Sequence, residues 1–118
     1  MTAPLRSLSP TTPSQVWANS AQYAAESAAA ELGAARGALN FAQARACADR
    51  AEYFAARADR FAAHCAKNLA NSPDPLRWPA LYASGERQLA RAEDYSLAAR
   101  RCAEEARALA DAMARGTA

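Results

Sequence analysis

Glycine and β-branched residues are scarce in this chain of 118 residues, and their scarcity argues against a β-sheet fold. The sequence has only four glycines, few valines, isoleucines or threonines, and 36 alanines. Strands favour β-branched and aromatic residues, whereas alanine is the strongest helix former. The composition therefore predicts an all-α fold, and the length predicts one domain with one modest core.

Cysteine and histidine are also few, which bears on disulfides, metals and catalysis. Three cysteines in an alanine-rich helical chain are too few for a disulfide framework, so we expect reduced thiols. The one histidine, His64, adjoins Cys65, and adjacent helical residues point to different faces. The chain has no Glu-x-x-His pair and no glycine-rich phosphate loop. We therefore expect no metal, no cofactor and no enzymatic activity. For the thiols, the alternative to buried, unreactive side chains is a redox-sensitive pair of Cys47 and Cys102.

Long apolar runs are absent, which excludes a membrane span. The first ten residues also lack the apolar stretch of a signal peptide. Thirteen of the fourteen basic residues are arginine, and the net charge is +2 with both signs interleaved along the chain. Such interleaving is typical of a solvated, salt-bridged helical surface, and of a nucleic-acid interface only second. We expect a soluble cytoplasmic protein that does not bind membranes.

The strongest helical pattern in the chain lies between residues 44 and 70. Cys47, Phe54 and Phe61 recur at a spacing of seven, and a second row of alanines ending at Cys65 lies three or four residues away from them. This alternation is typical of a coiled coil or helical bundle. It predicts a long central helix with an apolar stripe broad enough for two neighbouring helices.

Two capping patterns mark where helices begin. Thr12 lies three residues before Gln15, with a proline between them at the first helical position, and Asn40 lies three residues before Gln43. Two glycines and a change of phase between these caps predict a turn at 33–40; one bent helix over residues 13–70 is the alternative. Three prolines between residues 73 and 79 predict a second break. The predicted organisation is a flexible tail over 1–11 and a single bundle over 12–115, with helices at 13–32, 41–70 and 76–114.

The second break predicts an antiparallel hairpin of the last two helices. If its turn is centred near Pro73, Phe61 faces Gly85 and Cys65 faces Leu81, with a large residue opposite a small one in nearly every layer. Large apolar residues are few for a three-helix monomer, because each buried one stabilises by only roughly 1.5–3 kcal/mol. We therefore predict a homodimer that covers the apolar residues outside the core pattern, which are Val16, Tyr23, Tyr82 and Leu97.

One flank of the central helix is basic and is the candidate partner-binding surface. Its residues are Arg50, Tyr53, Arg57, Arg60, His64 and Lys67. A purely structural explanation exists, since cations near a helix C-terminus complement the helix dipole and pair with nearby acids. The functional interpretation is a surface for an acidic protein or for nucleic-acid phosphates.

These observations favour a non-enzymatic helical protein–protein interaction module, acting as an adaptor, an inhibitor or a subunit of an assembly. A bacterial or phage protein that inhibits a defence complex is one specific form of this hypothesis. The alternative is a nucleic-acid-binding accessory protein that uses the arginine-rich face of the central helix. No motif in the chain identifies the protein partner.

Overall fold

Three α-helices account for most of the chain. The computed structural model describes residues 12–72 and 74–116, in which α1 spans Pro13–Arg36, α2 spans Phe41–Ala70 and α3 spans Pro79–Ala114. Each helix packs against the other two, and the described residues contain no strand. The predicted all-α helical bundle is confirmed. The predicted flexible tail over 1–11 lies outside the described residues.

The two predicted capping patterns form the hydrogen bonds that their sequences suggest. The backbone N–H of Gln15 donates to Oγ1 of Thr12 at 3.1 Å. The backbone N–H of Gln43 donates to Oδ1 of Asn40 at 2.9 Å, and the side-chain oxygen of Gln43 accepts from the backbone N–H of Leu39 at 2.8 Å. These bonds satisfy donors that a helix N-terminus leaves unpaired, and they fix where α1 and α2 begin.

The first helix is longer than predicted. It continues through Gly33 to Arg36, beyond the predicted end at residue 32. A glycine inside a helix costs about 1 kcal/mol relative to alanine, and the burial of Leu32 and Ala35 on the core side of this turn offsets that cost. One continuous helix over 13–70 is excluded, because the chain leaves the helix after Arg36 and re-enters it at Phe41.

The third helix begins later than predicted, at Pro79 rather than at residue 76. Asp74 instead organises one isolated turn, in which its side chain accepts from the backbone N–H of Leu76 at 2.9 Å. Its carbonyl accepts from the backbone N–H groups of Arg77 and Trp78 at 3.1 and 3.0 Å. This turn cannot continue into α3 with regular hydrogen bonds, because Pro79 has no N–H and its ring clashes with the preceding turn.

The core between the helices is made almost entirely of alanine. Within residues 12–72 and 74–116, seventeen of the twenty buried apolar residues are alanine, and the other three are Leu32, Cys47 and Cys65. Phe54 and Phe61 are only partly buried and pack at the edge of this core. Small side chains therefore face small side chains at the centre of the bundle, whereas the sequence predicts a large side chain opposite a small one. Alanine faces let helix axes approach towards the close end of the usual range of about 8–10 Å.

The predicted register of α2 against α3 is wrong. A Cβ placed on Gly85 would lie 3.0 Å from Cδ1 of Leu69, so Gly85 packs beside Leu69 rather than Phe61. Cys65 shares a buried cluster with Ala92 instead of facing Leu81. The physical reason is the late start of α3: residues 74–78 form a separate turn, and the first turns of α3 extend past the end of α2.

Candidate functional site

A concave groove with a mainly apolar lining lies between α1 and α2. Its volume is about 380 Å³. Val16 and Tyr23 form the α1 side, and Phe54, Arg57 and Phe61 form the α2 side. Val16 is 44% exposed and Tyr23 is 69% exposed. The groove therefore presents large apolar side chains that the core does not cover.

The alanine core explains why aromatic residues line this groove. Helices that approach closely leave no space between them for a ring, so large side chains at neighbouring positions are displaced to the edges of the interface. Phe61 stacks on Trp17 with 5.9 Å between ring centroids, and Trp17 in turn stacks on His64 at 4.5 Å. The rings of α1 and α2 thus close one end of the groove by packing on each other.

Arg57 lies across the aromatic residues of the α2 side. Its guanidinium carbon lies 5.2 Å from the ring centroid of Phe61 and 5.6 Å from that of Tyr53. Its Nη1 also donates to Oη of Tyr53 at 3.4 Å. Within residues 12–72 and 74–116 Arg57 forms no ion pair, so a partly buried cation is held in place by aromatic faces rather than by a carboxylate.

The six residues of the predicted partner-binding surface occupy three different settings. Tyr53, Arg57 and His64 lie along the groove or at its closed end. Arg50 is engaged with α1, because its Nε lies 3.0 Å from Oε1 of Glu31. Arg60 and Lys67 are exposed, and neither forms an ion pair with any other described residue.

Sequence reasoning missed that the groove lies between two helices. Val16 and Tyr23 lie outside the core pattern of the first helix, and this second apolar face is the sequence signal that could have indicated the α1 side of the groove. The heptad spacing predicts that Phe54 and Phe61 lie in the core between the helices, whereas both line the groove. Phe54 and Phe61 lie beside Val16 because of how α2 is rotated about its own axis. The sequence does not specify this rotation, because α2 carries alanines on both of the sides that pack against other helices.

The opposite side of α2 carries a network of ion pairs with α3. The guanidinium of Arg107 bonds both Asp49 and Glu52, with 2.7 Å between its Nη2 and Oε1 of Glu52. Nη2 of Arg100 lies 2.8 Å from Oδ1 of Asp59, and the hydroxyl of the buried Ser96 donates to the same oxygen. Hydrogen bonds from Arg107 hold the pKa values of Asp49 and Glu52 below their usual range.

The cleft beside this network is larger than the apolar groove but less suited to a ligand. Its volume is about 490 Å³, and apart from alanines it is lined by charged side chains of α2 and α3. Arg100 and Arg107 already bond the acids on the facing helix. Because the bonding capacity of these groups is largely used within the protein, we assign this network to positioning α3 on α2.

The thiols and the histidine are dispersed rather than gathered into a reactive centre. All three cysteines are unpaired thiols. Cys65 is fully buried, its Sγ–H donates to the carbonyl of Ser14 at 3.3 Å, and burial raises its pKa. His64, its neighbour in sequence, is exposed and stacks on Trp17. Among the described residues no group of three or more histidine, cysteine, aspartate or glutamate side chains could hold a metal ion.

Two further findings complete the description of the site. Within the described ranges, none of the helices has the combination of length and apolar character needed to cross a membrane. No protein-family model, curated protein or solved structure matches the chain.

Proposed function

We propose that the protein is a non-enzymatic helical interaction module, an adaptor, inhibitor or assembly subunit that binds a protein partner in the α1–α2 groove. The observation that carries this proposal is the exposure of Val16 and Tyr23 directly beside the partly buried Phe54 and Phe61. A contiguous apolar surface of this kind on a small protein marks a binding site more often than a defect of packing.

The residue types along the groove support the same proposal. Tyrosine, phenylalanine and arginine are enriched in protein interfaces, and tyrosine and arginine are among the residues that contribute most to binding energy there. Arg57 is already held by the rings of Tyr53 and Phe61. A partner would therefore order few additional side chains on binding, which lowers the entropic cost of association.

The proposal is tested by affinity capture from the organism that encodes the protein, with quantitative mass spectrometry of what is retained. Three baits are compared: the wild type, the groove variant Tyr23→Ala, and the matched control Leu97→Ser. Leu97 is 41% exposed but lies beside the α2–α3 interface, away from the groove. A partner that binds the groove is retained by the wild type and the control and is lost from Tyr23→Ala.

The result that contradicts the proposal is equally specific. If every protein captured by the wild type is retained by Tyr23→Ala, or is lost equally from Leu97→Ser, the groove is not the binding surface. Circular dichroism of the three baits shows whether a loss of binding reflects a loss of helix. A candidate that passes is then expressed alone and mixed with purified protein, so that direct binding is measured.

The predicted homodimer remains a prediction about the same surface. Val16 and Tyr23 line the α1–α2 groove, whereas Leu97 lies on the α2–α3 side. Because these sides lie on different flanks of α2, one two-fold interface centred on the groove would leave Leu97 outside it. Sedimentation equilibrium at two protein concentrations measures whether the chain self-associates.

Nucleic-acid binding is the second candidate function, and one observation favours it. Arg60 and Lys67 are exposed and form no ion pair within the described residues, and Tyr53 on the same helix has an exposed ring. Phosphate contacts would make binding strongly dependent on salt. Titration of mixed DNA and RNA at about 50 mM salt, where such contacts are least screened, tests this candidate; the absence of binding there excludes it.

A further inference from the structure

The apolar residues of the groove are spaced as a helix would require. Val16 and Tyr23 are seven residues apart on α1, and Phe54 and Phe61 are seven apart on α2. Seven residues are two helical turns, or roughly 10 Å. Both sides of the groove therefore repeat with the heptad period by which one helix packs along another. A helix lying in the groove would be the fourth member of the bundle.

The charged side chain that lines the groove is a cation. None of the residues that line it is acidic, and Arg57 lies within it. Arg60 and Lys67 lie on the adjoining exposed face of α2, with no ion pair to another described residue. Such a surface attracts carboxylates and repels cations.

The unpaired cations of α2 beside the groove result from how this helix distributes its acids. The three acids of α2 turn towards α3, where Arg107 bonds Asp49 and Glu52 and Arg100 bonds Asp59. On the α1 side, Glu31 is bonded to Arg50 near the far end of the helix. The carboxylates of α2 and Glu31 of α1 are thus bonded to cations within the protein. Glu26 of α1, one turn from Tyr23, is exposed and accepts a hydrogen bond from Gln22. The cations of α2 beside the groove are left for a partner.

We infer that the groove binds an amphipathic α-helix of a partner protein, with two apolar residues seven apart and carboxylates along their flanks. This inference rests on the proposed function and names the chemistry of the partner that the function requires. One apolar residue of the incoming helix packs between Tyr23 and Phe54, and the other packs between Val16 and Phe61. Its carboxylates reach Arg57 from above the aromatic rings, and reach Arg60 at the edge of the groove.

Two other occupants fit the same surface less well. A second copy of this chain bound by two-fold symmetry would place the same cationic patch on both sides of the interface, with Arg57 and Arg60 near their own images. A nucleic acid would satisfy the cations but would leave Val16 and Phe54 against a charged backbone. Both remain outcomes that the experiment distinguishes.

The experiment uses Trp17 as a reporter, because it stacks on Phe61 at the closed end of the groove. Trp78→Phe removes the only other tryptophan and leaves a full-length chain with one fluorophore. The probes are two designed peptides of about 18 residues, or about 27 Å of helix. They share the same leucines seven apart and differ only in their flanks, which are glutamate in one and lysine in the other.

The acidic peptide is expected to change Trp17 fluorescence saturably, and the basic peptide is expected to leave it unchanged. Tyr23→Ala in the single-tryptophan protein weakens acidic-peptide binding at least about tenfold, as truncation of an aromatic anchor does. Arg57→Gln weakens it about fivefold, as expected for a partly buried cation. Leu97→Ser, on the other side of the molecule, leaves the affinity unchanged.

Several results overturn the inference. The inference is wrong if the two peptides bind equally, or if the acidic peptide shows no saturable binding up to about 1 mM. It is also wrong if a mixed oligonucleotide displaces the acidic peptide at a concentration below that of the peptide, or if the protein forms a dimer that Tyr23→Ala dissociates. The proposed function fails separately. If capture yields a partner lost from Tyr23→Ala while the acidic peptide does not bind, the groove is an interaction site and only the stated chemistry of its occupant is wrong.

Discussion

A larger apolar side chain in the centre of the core should destabilise this protein. Ala28 is fully buried in α1 and belongs to the same core cluster as Ala51 of α2 and Ala99 of α3, which are also fully buried. In a loosely packed core, Ala28→Leu would stabilise the fold by burying three more carbons, at about 0.8 kcal/mol each. Where three alanine faces already meet, no space of that size exists, and the leucine must push the helices apart.

The expected magnitude follows from this difference in packing. Overpacking of a close-packed core costs about 1–3 kcal/mol net, and leucine forms helix almost as well as alanine, so propensity contributes little. For a chain of this length, 1 kcal/mol corresponds to about 4 °C in melting temperature. Ala28→Leu should therefore lower the melting temperature by about 4–12 °C.

The assay is thermal and urea unfolding followed by circular dichroism, with Ala30→Leu as the matched control. Ala30 lies on the exposed face of the same helix, so its replacement should change the free energy of unfolding by at most about 0.5 kcal/mol. If Ala28→Leu unfolds at the same temperature as Ala30→Leu, or at a higher one, the core is not closely packed and the explanation of the aromatic groove edge fails with it.

Two further predictions concern the ion pairs and the thiols. Because Arg107 lowers the pKa values of Asp49 and Glu52 in the folded state, its contribution to stability is complete above about pH 5 and is lost as the pH falls through the lowered values. Arg107→Gln should therefore lower the urea midpoint at neutral pH and lower it much less in strong acid, and an equal loss at both would contradict this. Burial should make Cys65 react with iodoacetamide more slowly than the partly exposed Cys102 in the folded protein, and the two thiols should react at equal rates in urea. Mass spectrometry of the labelled peptides measures both rates. Equal rates in the folded protein would refute the burial of Cys65.

The helices were predictable from the sequence because their signals are local. The caps at Thr12 and Asn40 act within three residues, and alanine favours helix wherever it occurs. The end of α1 was not predictable in the same way, since Gly33 reads as a terminator until the burial of Leu32 is known. Local propensity and tertiary burial oppose each other there, and burial decides the outcome.

The register of α2 on α3 could not be predicted, because alanine layers are nearly identical to one another. Sliding one alanine face along another by a turn changes little apolar contact, so the hydrophobic pattern specifies the register weakly. The bonds of Arg107 and Arg100 to acids of α2 distinguish one register from the next. They connect residues far apart in the chain, and a search for pairs within one helix does not find them.

The candidate site likewise has one part that the sequence predicts and one part that depends on tertiary packing. The cations of α2 recur on one face of a single helix, and the sequence was sufficient to group them. The groove needs Val16 of α1 beside Phe54 of α2, and that proximity depends on how two helices are rotated against each other. The larger part of the site is therefore a property of the packed structure.

The alanine core also determines how stability responds to temperature. The heat capacity of unfolding arises mainly from apolar surface newly exposed to water, and it averages about 12–15 cal/mol/K per residue in ordinary domains. An alanine exposes far less of this surface than a leucine or phenylalanine, and seventeen of the twenty buried apolar residues in the described part of the chain are alanine. The heat capacity of unfolding per residue should consequently lie below that range, so that the curve of stability against temperature is broad and shallow, with cold unfolding displaced to lower temperature.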